Sequence, residues 1–130
     1  MTPKINWGFL IYLIFIIMKD LIRQILREES QSKFEEFAQK RLEGATKITE
    51  NAKEKGGAAM LTYHHFVVKL PYYKKASEGK FDIKETKTEF KEHLDKLCGL
   101  SKDVDMGQVE FQKLVGLIEV LGELIIKSGK

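Results

Sequence analysis

From Lys19 onward the apolar side chains recur at the spacing of an α-helix. Leu21, Ile22, Ile25 and Leu26 form one stripe, and Phe34, Phe37, Ala38 and Leu42 form a second. The polar run 28–33 between them is either an exposed turn of one helix or a break. Gly44 predicts a stop, after which Ala45, Ile48 and Ala52 face one way until Gly56-Gly57 ends the pattern. Ala59, Tyr63, Phe66, Val67 and Leu70 continue at helical spacing. Their β-branched and aromatic content would also suit a strand, but a lone strand cannot satisfy its backbone and no partner strand is visible elsewhere. Pro71 disfavours a helical Leu70 and suits the first turn of a short helix over 71–78, which Gly79 closes.

The last two elements are the plainest. Ile83, Phe90, Leu94 and Leu97 make one narrow stripe among charges, the mark of a surface helix. Asp105-Met106-Gly107-Gln108 is a capping-box pattern, with Asp105 as the N-cap and Gln108 at N3. It opens a helix over 106–127 whose polar groups shrink to a thin line through Lys113, Glu119, Glu123 and Lys127. A helix apolar over most of its circumference belongs at the centre of its domain, with Gly116 and Gly122 as points of close approach. The expected fold is all-α: one domain over 18–130, a small bundle of about five helices around a central C-terminal helix.

Residues 5–18, INWGFLIYLIFIIM, stand outside that pattern: fourteen residues without charge, with Asn6 the strong polar interruption. As a helix the run is roughly 21 Å long, against a hydrocarbon core of about 30 Å. It leads into Met18-Lys19-Asp20 without a small-residue cleavage site, which argues against a cleaved export signal. Three readings stay open. It is an uncleaved membrane anchor formed by Trp7, Phe9, Tyr12 and Phe15, with Trp7 and Tyr12 suited to the interface and Lys4, Lys19 and Arg23 reaching headgroups. It is an element buried in the domain or in an oligomer. Or residues 1–17 are an extension outside the working protein, with translation starting at Met18. Left in water, a run of this size would associate with something.

With 130 residues, 43% of them apolar, the chain can bury a core and is not mostly disordered. A single cysteine, Cys98, excludes an intramolecular disulfide and a Cys-only metal cage, and makes a reducing, cytoplasmic setting the default. The net charge is +3, and the excess sits in residues 63–80, where Lys69, Lys74, Lys75 and Lys80 face Glu78 alone. A domain that lives on phosphate contacts shows a stronger basic bias.

His64-His65 invites a metal reading, but adjacent residues point about 100° apart on a helix and do not grip one ion. A site combining His64 or His65 with His93 and Glu89 is the one conceivable metal grouping, and the expectation is no metal. Cys98 reads as a partly buried thiol near a helix end. The chain carries no G-x-G-x-x-G, no P-loop and no G-x-S-x-G, so neither an enzyme nor a cofactor is expected. The densest concentration of chemistry is 63–75, where Tyr63, His64, His65, Lys69, Tyr72, Tyr73, Lys74 and Lys75 surround a proline corner. Such a segment anchors a protein or oligomer interface, or stacks bases and neutralises phosphates. In the blander alternative its aromatics fill the core and its lysines solvate the outside.

The opening MKDLIRQILREES, residues 18–30, is similar to the start of many short uncharacterised proteins of tailed phages and marine bacteria. Residues 45–81, ATKITENAKEKGGAAMLTYHHFVVKLPYYKKASEGKF, resemble a phage and bacterial domain of unknown function. That resemblance implies that residues 1–17 are an extension and points to a phage accessory or virion-associated role. It carries no functional residue. The expected function is a small non-enzymatic module for protein interaction or self-association through 63–75. The alternatives are a nucleic-acid or polyanion binder using the same segment and a membrane-tethered protein using 5–18.

Overall fold

A computed structural model describes residues 6–100 and 108–129. They form five helices: α1 (Trp7–Lys55), α2 (Ala59–Val67), α3 (Leu70–Ser77), α4 (Ile83–Cys98) and α5 (Val109–Ser128), with no strand among the described residues. The all-α expectation is met. The chain divides into two compact units, Met1–Ser32 and Lys33–Lys130, the division falling in the polar run 28–33.

In the first unit α1 opens on Asn6, whose side-chain oxygen accepts from the Phe9 amide at 3.1 Å. The one polar residue of the apolar run is therefore its N-cap. From Asn6 to Ser32 every described side chain is exposed.

The second unit holds the core. Gly44 does not stop α1: the helix continues to Lys55 because Phe34, Ala38, Ala45, Thr49 and Ala52 form one continuous buried face. Gly44 lies outside that face, where a helical glycine costs only about 1 kcal/mol. Thr49, not Ile48, completes the stripe. Its hydroxyl donates to the Thr46 carbonyl at 2.8 Å, so the buried oxygen is satisfied, while Ile48 stays exposed. The helix ends where predicted, at Gly56 (φ 61°) and Gly57 (φ 56°), two consecutive left-handed positions that side-chain-bearing residues rarely adopt.

The ambiguous segment is helical, as α2, but it ends at Val67; Leu70 is the first residue of α3 and helical despite the proline after it, and Pro71 sits in the first turn of that helix. Asp82, which the reading of the sequence passed over, caps α4 by accepting from the amides of Lys84 and Glu85 at 2.9 and 3.2 Å. The buried and half-buried positions of α4 are Thr86, Glu89, Phe90, His93 and Leu97, so Ile83 and Leu94 lie at the edge of that face. Cys98 is exposed at the helix end, not partly buried.

α5 is the central element, packed by α2, α3 and α4. Val120, Leu121 and Leu124 are the largest fully enclosed side chains, and they share one cluster with Phe34, Ala38, Ala45, Tyr73 and Ala76. Gln108 is the N-cap itself, with an extended backbone (φ −69°, ψ 138°) and no side-chain hydrogen bond, rather than N3 of a capping box. The Asp105 half of that prediction lies outside the described residues.

Both glycines predicted to permit close approach do so. A Cβ on Gly116 would collide with the backbone carbonyl oxygen of His65 and come within 2.8 Å of the Val68 side chain. At Gly122 the nearest atom is the Phe90 ring edge at 3.2 Å, which can tilt away. Gly116→Ala should therefore destabilise the fold by about 2 kcal/mol or more, and Gly122→Ala by about 1 kcal/mol or less. Urea denaturation followed by circular dichroism checks the order of the two effects.

Candidate functional site

The segment 63–75 folds as α2, the turn at Val68-Lys69, and α3, and this geometry turns much of it inward. His65, Lys69 and Tyr73 are spaced i, i+4, i+8, and the polar line of α5 presents Glu119, Glu123 and Lys127 at the same spacing. The two rows meet. His65 Nε2 and Lys69 Nζ both lie 2.8 Å from the same oxygen of Glu119. The Tyr73 hydroxyl donates to Glu123 at 2.7 Å, and Arg41 of α1 approaches the same Glu123 oxygen at 3.5 Å. Lys127 and Arg41 lie over the Phe37 ring, at 5.4 and 5.3 Å from its centre.

Lys69 is only 7% exposed, and its ammonium also sits 4.7 Å from the centre of the Phe66 ring. A buried ammonium persists only with a charged partner and further contacts, which Glu119 and Phe66 provide. Burial acts to raise the Glu119 pKa, but hydrogen bonds and charge from Lys69 and His65 outweigh it and hold the carboxyl below its ordinary range. Burial, with the hydrogen bond to Glu123, pushes the Tyr73 hydroxyl upward. At Tyr72, burial and the charge and hydrogen bond of Glu89 act the same way.

The structure therefore divides the sequence-predicted surface. Lys69 and Tyr73 are interior, and His65 is bound to Glu119. Tyr63, His64 and Tyr72 are half-buried, the rings of Tyr63 and His64 meeting edge-on at 5.2 Å. Lys74 and Lys75 are exposed, Lys75 standing 3.8 Å from Glu85. Of the residues expected to form an aromatic-basic platform, Lys69 and Tyr73 therefore serve α5 instead.

The conceivable metal grouping is not assembled either: His65 is engaged by Glu119, Glu89 by Tyr72, and His93 lies half-buried on α4. Among the described residues no cluster of three or more His, Cys, Asp or Glu could hold a metal ion. Between Tyr72, Phe81, Thr86 and Glu89 lies a space of about 20 Å³, room for a water and not for a ligand. An open groove of about 470 Å³ runs beside Lys69, Glu119, Glu123, Ile126 and Lys127, but Lys69 and Glu119 are bonded to each other and Glu123 accepts from Tyr73.

Reading the sequence missed Glu119, Glu123 and Arg41 as partners of the segment. The available signal was the shared i, i+4, i+8 spacing of two polar lines on otherwise apolar helices.

The first unit presents a different kind of surface. Trp7, Phe9, Tyr12 and Phe15 are exposed, with Trp7 64% and Phe15 65% accessible. No helix among the described residues is long and apolar enough to cross a membrane, so the anchor reading finds no spanning helix there. The physical reason is that Lys19, Asp20 and Arg23 cut the apolar run short. No protein-family model, curated protein or solved structure matches the chain.

The Glu119 pairing sets a pH dependence. A carboxyl whose pKa is depressed by folding stabilises the native state above the ordinary carboxylate range, and that contribution is lost as pH falls through the depressed value. Glu119→Gln should cost about 1–3 kcal/mol at neutral pH, because it leaves the Lys69 ammonium without a charged partner. Urea midpoints measured on the acid side should converge for wild type and variant as the pH drops.

Proposed function

We propose that this protein is a non-enzymatic association module, which works by binding another surface through the apolar helix of its first unit. The observation that carries this reading is the row of fifteen large apolar side chains exposed between Trp7 and Leu26. A contiguous apolar surface of that extent marks an interaction site, because water disfavours it in proportion to its area. The second unit supports the reading from the other side. There the groups that would suit chemistry, His65, Lys69 and Tyr73, are held by Glu119 and Glu123 and act as framework. The role foreseen for 63–75 thus passes to 7–26, with the exposed Lys74 and Lys75 at most a secondary contact.

Trp7 is the single tryptophan, so its fluorescence reports this helix directly. In detergent-free buffer, or on transfer into zwitterionic micelles, its emission should move to shorter wavelength, with light scattering giving a mass above the 15.0 kDa of one chain. A chain that stays monomeric, with Trp7 in water, in buffer and micelles alike would overturn the proposal.

A further inference from the structure

We infer that residues 7–27 seat the protein on the surface of an anionic lipid bilayer without crossing it. The inference rests on the association reading and names the partner. From Trp7 to Met18 the helix is apolar on every side, and every side chain is exposed. A second copy packed as a coiled coil covers one stripe of such a helix, whereas a bilayer surface into which the helix sinks covers a much wider arc of it. Past Met18 the character changes within one turn. Lys19, Arg23 and Arg27 follow at i, i+4, i+8 along one side of the helix, and Leu21, Ile22, Ile25 and Leu26 fill an adjoining apolar arc that Lys19 borders.

Asp20 is the one acid between Asn6 and Arg27, so the polar face of this stretch is cationic. An apolar arc flanked by lysine and arginine is the pattern of a helix lying at the headgroup boundary. Its long cationic side chains reach phosphate while their stems stay in the apolar layer. At the other end, Trp7 beside the Asn6 cap suits the same interfacial level. Negative lipid is preferred because each basic group near such a surface adds to binding, and the mixed-sign sequence resumes only at Glu28.

The test uses the full chain with two kinds of vesicle, phosphatidylcholine alone and phosphatidylcholine with about a third replaced by phosphatidylglycerol. Flotation and Trp7 emission are the readouts. The chain should bind both, the anionic vesicles roughly tenfold more tightly, with the difference shrinking as salt is added. The triple variant Lys19→Gln/Arg23→Gln/Arg27→Gln should lose that difference and keep its binding to phosphatidylcholine. These side chains are exposed and lie in the first unit, so unchanged urea unfolding verifies the fold. Equal binding to the two vesicles by the wild-type chain would overturn the inference. So would a stable oligomer that shields Trp7 and ignores both vesicles, although that result leaves the association reading standing. A chain with Trp7 in water under every condition would bring down both.

Discussion

The structure depends on enclosing one helix. α5 is apolar around most of its circumference, and Val120, Leu121 and Leu124 can leave water only if other helices surround them. α2, α3 and α4 do so, together with Phe34, Ala38 and Ala45 of α1. The enclosure is tight where Gly116 lets the α2 backbone approach, and the absence of a side chain there is as much a part of the packing as the leucines are.

Enclosure raises a second requirement. α5 keeps one polar line, and buried or half-buried carboxylates on it need donors. His65, Lys69 and Tyr73 meet that need because α2 and α3 carry them at the pitch of Glu119 and Glu123. The same constraint explains why the most chemically suggestive stretch of the chain is mostly framework. The first unit has no such enclosure: between Trp7 and Leu26 the apolar side chains outnumber anything in that unit that could cover them. Function is therefore sought where the apolar surface is still open.

Much of this was legible in the sequence where a single residue type decides a local conformation. Gly56-Gly57 and Pro71 marked real boundaries, and Gly116 and Gly122 marked real close contacts, because backbone freedom and missing side chains act locally. Apolar periodicity identified α5 as central. Periodicity misled where a threonine took a buried position: the Thr49 hydroxyl bonds the Thr46 carbonyl and the Thr86 hydroxyl that of the cap residue Asp82, so neither looks polar to its packing neighbours. It also misled at Gly44, where continuous packing on the far face outweighed a weak helix former. Lys69 was assigned to the outside on its charge alone. Its inward position depends on a partner fifty residues away, which no local pattern contains.

The most direct measurement of the central claim is native-state hydrogen exchange of the backbone amides. If α5 is the enclosed element on which the others depend, the amides of Val120, Leu121 and Leu124 should exchange most slowly of all, and only through global unfolding, so that their opening free energy equals the stability from urea denaturation. Amides of α5 that exchange through local opening, faster than those of α2 or α4, would contradict the account.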